Sequence, residues 1–432
     1  MNGVTPLLVS LAAALSAAGC GEGAESPRGS APARGSVTAP DTALRNLAAE
    51  ILPAIERVSG LPARGPLRLG LRSKADLERY LSSELDRQLP PEKASALVRV
   101  YARLGLVPDT IRLDNLLRSL LLEQVVGYYD PKADTLFVVE GVDPAQLEVV
   151  LAHEMVHALQ DQYMDLDSLM TSLEEDNDRS TAARAALEGH ATFAMLEWFL
   201  GKSTGQPVDL TAFPNLAEIL SGNPAAFAVD MPVLQQVPAL IRESLLFPYV
   251  GGLGFLQGYW TAFPDRPIPL GAALPESTEQ IIHPDRSAGP RRDAPVRVEF
   301  AEAPAAEWRE VYADGLGELE TRIFLAEHLR EETRARQGAA GWDGDRYRLL
   351  DSPAGEVLVW ATAWDDAVEA SEFEAAVRRA YGTRYGGPSS ERRVMVERKA
   401  IDGIPVVLVL DLPAALDAQA AAGAARFTIR GG

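Results

Sequence analysis

A single cysteine, Cys20, stands in 432 residues, so no intrachain disulfide can form and the fold must hold by packing, with or without a metal. Basic residues are also in short supply. The 41 Lys and Arg face 61 Asp and Glu, a formal net charge of -20. That deficit argues against nucleic acid as a partner, because phosphate binding draws on clustered Lys and Arg, and it describes a soluble, self-repelling surface. Long apolar runs are scarce as well: residues 4–18 are too short to cross a bilayer as a helix, and no other spanning stretch or internal repeat is evident. What is present is ordinary globular composition, 47% hydrophobic and 24% charged. It is enough for two or three domains with a sizeable core.

The same apolar run is the right length for the core of a secretory signal. It ends in Ser16-Ala17-Ala18-Gly19-Cys20, which resembles a bacterial lipobox. That resemblance implies cleavage before Cys20, lipidation of Cys20, and export to a bacterial membrane facing the periplasm or exterior. The start MNGVT has no Lys or Arg, and Ala17 stands where such signals usually carry Leu. A plain secretory signal, or a disordered tail with an incidental thiol, is the alternative. Residues 21–40, rich in Gly, Ala, Ser and Pro, read as a flexible tether.

Further on, residues 41–59 read as a weak helix and 66–72 as a strand. Apolar residues at three and four spacing predict helices over 74–88, 91–104 and 113–122. Residues 124–129 and 135–140 predict a hairpin about the turn 130–134. Asp143, Pro144 and Gln146 supply a cap, a first helical position and a capping-box partner for a helix that runs to residue 164. Helices follow over 179–200, closed by Gly201, and over 233–247 and 249–259, the last with glycines suited to close helix contact. The irregular stretch 205–230 is placed to rim a cleft. A helix near 316–336, strands at 345–350, 356–363, 393–399 and 406–412, and a helix at 366–381 predict a smaller second domain.

The chemistry concentrates in residues 147–164, LEVVLAHEMVHALQDQYM, which carry H-E-x-x-H as His153, Glu154 and His157. Two histidines four apart share one helix face and reach one metal ion. The polar residues of 147–159 are only Glu148, His153, Glu154 and His157. Burying such a group demands a metal or an extensive hydrogen-bond network. The extended signature is missing, since Gln160 and Tyr163 stand where it needs Gly and His, so a third ligand must come from another element. Glu188 and His190, on the apolar helix 179–200, are the rivals. They point about 200° apart, so only one can face the metal.

The spacing of HEMVHALQDQY and a later ALEGHA resembles the gluzincin group of zinc metallopeptidases. The segments GYYDP, FPYVGGLGF, STEQIIHP and AAGWDGDRY are similar to those of a group of bacterial peptidase-like lipoproteins, covering most of the chain after the tether. His190 sits where those relatives often have Asp or Glu, and Thr192 follows Glu188 where a carboxylate is usual. The resemblance implies Glu188 as third ligand, Zn2+ as cofactor, a peptide or protein substrate, and Glu154 as general base for a zinc-activated water. It also implies that strand 135–140 is an edge strand able to pair with an extended peptide. Tyr249 and His283 are candidate oxyanion donors, and His328 reads as a surface residue. The expected fold is α+β: a zincin-like, mainly helical domain with a small sheet over 41–290, then a smaller α+β domain over 291–432. The alternative function is a non-catalytic cell-envelope lipoprotein that binds a partner and uses a structural metal or a polar cluster.

Overall fold

The computed structural model describes residues 34–431 apart from 125, 214–215, 217–233, 235, 303–306 and 387–390. The signal, Cys20 and most of the tether lie outside the described residues, as does most of the stretch 205–230. The fold is α+β, with a mainly helical N-terminal region and a β-rich C-terminal region.

Helix α1 (Thr42–Ser59) begins where the Asp41 side chain accepts from the Leu44 N–H at 2.9 Å and ends at Gly60, whose φ of 70° suits a residue without Cβ. Its buried stripe of Leu44, Ala48, Ile51, Leu52 and Ile55 has helical spacing. Next to it lies a four-stranded sheet ordered β1 (Val37–Thr38), β2 (Leu67–Arg72), β4 (Thr135–Val139), β3 (Gly127–Asp130). β1, β2 and β4 run parallel, and β3 is antiparallel to β4. The edge-strand expectation is thereby corrected. Strand 135–139 is paired on both sides, because Leu69 to Arg72 of β2 register against Leu136 to Val139. The outer position next to β4 belongs to β3, and all four of its residues are buried.

Helix α5 (Pro144–Asp161) starts at Asp143, whose side chain accepts from the Ala145 N–H. Every residue from Val149 to Gln160 is buried. It is wedged between α1, the sheet and α7 (Asn177–Thr204), in a core holding Met155, Val156, Leu159, Ala194 and Trp198. Each fully buried Leu or Met there contributes about 1.5–3 kcal/mol of transfer free energy. The break expected at Gly201 falls later: α7 runs on to Gly205, which has the left-handed φ of 70° that stops a helix. The expected pair 233–247 and 249–259 is one helix, α8 (Ala239–Ala262), with Pro248 inside it. α8 is long and apolar enough to cross a membrane. In the fold it lies across α7, and the crossing is set by glycine. A Cβ on Gly189 would overlap the Gly252 backbone, and one on Gly252 would overlap the Ala185 carbonyl. Helices α2 (Lys74–Gln88), α3 (Pro91–Leu104) and α4 (Leu113–Gln124) complete this region, and Leu77, Leu81, Leu85 and Leu121 pack on Tyr128 and Tyr249.

The C-terminal region is a five-stranded antiparallel sheet, ordered β6 (Arg309–Asp314), β7 (Trp342–Ser352), β8 (Gly355–Trp364), β10 (Ile404–Pro413), β9 (Arg392–Ile401). Its relevant helices are α10 (Gly317–Leu329), α11 (Glu332–Ala339) and α12 (Ala367–Tyr385), numbered after the short α6 (Leu166–Ser172) and α9 (Thr278–Ile282). The single helix expected at 316–336 is split at Arg330, which adopts φ 59°. Both regions share one core: Val100, Leu104, Leu240 and Ile241 belong to the same apolar cluster as Leu319, Phe324, Trp360 and Phe373. That junction corrects His328. It is buried on α10, and its Nε2 donates to the Leu104 carbonyl at 2.8 Å.

Candidate metal centre

The four-residue spacing on α5 sets the His153 and His157 rings 4.9 Å apart between centroids. α7 crosses so that Glu188 meets both. His153 Nε2 and His157 Nε2 are 3.1 Å apart, and Glu188 Oε2 lies 3.1 Å from the first and 3.3 Å from the second. Donors on a tetrahedral zinc with bonds of about 2.0–2.1 Å stand about 3.3–3.4 Å apart. Two imidazoles and one carboxylate converging at that separation fit zinc in composition and spacing.

The tautomer of His157 follows from its neighbours. Gln160 Nε2 donates to the Leu187 carbonyl at 3.0 Å, an oxygen that can only accept, so the amide is oriented with Oε1 toward His157. Oε1 is 2.8 Å from His157 Nδ1, which therefore carries a proton, and neutral His157 presents a bare Nε2 lone pair to the centre. His190 stands behind this lock. Its Nε2 donates to the Ser59 carbonyl at 2.9 Å, and its Nδ1 accepts from Gln160 Nε2 at 3.2 Å. Both ring nitrogens are engaged away from the triad. Glu188 is thus the residue brought to the two histidines, and His190 supports Gln160.

Electrostatics agree with a cation site. Burial opposes the charge of His157, but Glu188 outweighs it and pushes the imidazole up to about 9. Burial likewise opposes ionisation of Glu188, and His157 and His153 overcome it, holding the carboxyl down to about 2. A cluster that draws in a proton this strongly draws in a metal cation by the same charge. His190, by contrast, is pushed down to about 4, first by burial, and stays neutral.

Glu154, fully buried beside the triad, accepts from the Tyr129 N–H of β3 at 2.9 Å. Tyr249 is brought there too: its ring centroid lies 6.4 Å from that of His153. Burial, then the charges of Glu188 and Glu154, hold its hydroxyl well above the ordinary range, so it remains a donor. His283 is not part of this arrangement. Its Nε2 is 3.0 Å from Glu318 Oε1 on α10, which ties it to the junction with the C-terminal region.

A cavity of about 350 Å³ opens against Glu188 and Tyr249, between α7, α8 and the α2–α4 layer. Its wall is largely apolar, with Leu89, Leu97, Leu121 and Leu245 among the lining residues, and Arg184 lines it one helical turn before Glu188. The roles of Gln160, Tyr129 and Arg184 are not expected from the sequence, where Gln160 figures only as the residue in place of a signature glycine. For Gln160 the available signal is its place three residues after His157 in a buried run, where i and i+3 side chains meet; the other two depend on long-range packing.

The family described as a domain of unknown function (DUF8575) matches residues 306–407, which hold most of the five-stranded sheet and α10–α12 and none of the triad. No curated protein and no solved structure matches the chain.

Proposed function

We propose that the chain is a zinc-dependent peptidase that hydrolyses peptide bonds, with His153, His157 and Glu188 as ligands and Glu154 as general base. The observation that carries this reading is the triad itself: three buried donor atoms within 3.3 Å of one another, with His157 oriented by Gln160. Zinc held there would polarise the scissile carbonyl and lower the pKa of water. Glu154, positioned by the Tyr129 N–H, takes the water's proton and returns it to the leaving amine. Tyr249, a buried hydroxyl donor at the cavity end next to Glu188, is suited to stabilise the developing oxyanion. Lipid anchoring at Cys20 on the outer side of a bacterial membrane is part of the proposal and rests on residues 16–20; a Cys20→Ser protein that still partitions with membranes would remove it.

Metal analysis and peptide cleavage test the core of the reading. About one zinc per chain is expected, with cleavage lost in Glu154→Gln while zinc is retained. A chain that binds no metal and keeps its thermal stability in chelator refutes it. A second reading has its own support: among the three ligands only Glu188 lines the cavity, and Glu154 is fully buried. Under that reading the cluster is structural, the protein binds a cell-envelope partner without cleaving it, and Glu154→Gln leaves the cellular phenotype intact.

A further inference from the structure

Arg184 lies at the cavity wall, close enough to Glu188 and Glu174 to feel their charge but bonded to neither. Its Nε is buried with no hydrogen-bond partner, and among the described residues it makes no ion pair. The acidic groups that share its cavity are engaged elsewhere. Glu174 pairs with Arg87 at 3.5 Å, Asp314 accepts from the Asn177 and Gly315 N–H groups, and Glu188 faces the two histidines. A half-buried guanidinium gains from a hydrogen-bonded anion, and its planar fork suits a carboxylate.

Resting on the peptidase reading above, we infer that Arg184 anchors the free α-carboxylate of a peptide, so that the site removes a single apolar residue from a C-terminus. Three features converge on this. Arg184 and Glu188 lie on one face of α7, four residues or about 6 Å apart along its axis. One residue of extended chain spans at most about 3.6 Å. A separation of that order holds one or two residues, and the small cavity favours one. The cavity, about 350 Å³, sits at the low end of small-ligand sites, and its leucine-rich wall suits an apolar side chain. Strand 135–139, the one expected to receive an extended peptide, is already paired on both sides. In the reaction, water adds its oxygen to the penultimate carbonyl carbon and the C–N bond breaks. The leaving amine takes a proton, releasing a free apolar amino acid and a peptide one residue shorter.

The test compares an N-acetylated peptide ending in Leu, as free acid and as C-terminal amide, on the zinc-loaded full chain. The free acid is expected to be cleaved with about tenfold higher kcat/KM. In Arg184→Gln that ratio should fall to within about threefold at unchanged zinc content, and Arg184→Lys should restore part of it. A third peptide, amidated and carrying Glu after the scissile bond, separates a terminal carboxylate from a side-chain one; preference for it equal to that for the free acid overturns the C-terminal assignment. Equal cleavage of acid and amide by the wild type also overturns it, whatever the variants do. The peptidase reading is separated by calorimetry of N-acetyl-leucine and N-acetyl-leucinamide on zinc-loaded Glu154→Gln protein. Arg184-dependent preference for the acid in binding, with no cleavage of any of the peptides by the wild type, keeps the anchor and removes the peptidase. No preference in binding removes the anchor.

Discussion

At the residue scale the centre depends on one amide. Gln160 fixes the His157 tautomer because it is itself fixed by the Leu187 carbonyl and by His190. Gln160→Leu keeps the volume of the site but removes the acceptor, so His157 loses the bond that holds its proton on Nδ1. Zinc affinity is expected to fall about 10- to 100-fold, measured by competition with a chromophoric chelator, with the helix content by circular dichroism unchanged. His190→Leu should act more weakly and in the same direction, since it loosens Gln160 without touching the ligand. A Gln160→Leu protein with wild-type affinity would show that the tautomer lock is idle. His153, Glu154 and His157 were legible as a spaced motif, because four-residue spacing places the two histidines on one helix face with Glu154 beside them. Glu188 was legible only as one of two, since spacing along α7 says which residues oppose each other and not which face meets α5.

At the element scale the site is made by a crossing. Glu188 precedes Gly189 on α7, Tyr249 lies one turn before Gly252 on α8, and the two glycines meet backbone to backbone. Gly252→Ala drives its new methyl at the Ala185 carbonyl, so the helices must separate. A loss of about 1–3 kcal/mol is expected in urea unfolding, with reduced zinc content because Glu188 moves off the histidines. Gly382→Ala on α12 is the contrast: its Cβ meets nothing within 4 Å, and alanine in a helix there should stabilise by about 0.5–1 kcal/mol. If both substitutions behave alike, the crossing is not tight. Helices with periodic apolar faces, such as α1 to α3, and the capped α5 are the elements that local sequence announces. The strands β5 (Arg297–Phe300), β6 and β11 (Phe427–Arg430) were not anticipated. β5 pairs with β11, near the end of the chain, and such long-range pairing leaves little local pattern. The edge position was misassigned for the same reason, since it turns on β2, more than sixty residues before β4.

At the scale of the whole molecule, the two regions are locked by buried carboxyls at their junction. Glu320 on α10 accepts from the Tyr101 hydroxyl of α3 at 3.2 Å and from the Asn177 side chain at the start of α7 at 3.1 Å. Burial, with the nearby charge of Asp314 adding to it, pushes Glu320 up to about 8, and burial pushes Asp314 up to about 6. For a carboxyl whose folded pKa is raised, the folded state binds the extra proton. The stabilisation is complete below the ordinary glutamate value of 4.5 and is lost as pH climbs through about 8. The junction should therefore be firmest in mild acid and weaken toward alkaline pH, the reverse of an ordinary salt-bridged carboxylate. Glu320→Gln keeps a carbonyl acceptor for Tyr101 and Asn177 but cannot ionise. Thermal unfolding between pH 5 and 8.5 is expected to show a smaller fall in Tm for this variant than for the wild type, with the curves separating most near the alkaline end. Parallel curves would mean that Glu320 gains a counter-charge or water on ionising and does not set the pH response of the junction. Because the triad lies on α5 and α7 while Glu320 reaches the start of α7, the same measurement on zinc-loaded protein reports whether loosening the junction reaches the metal: zinc content should hold across this range if it does not.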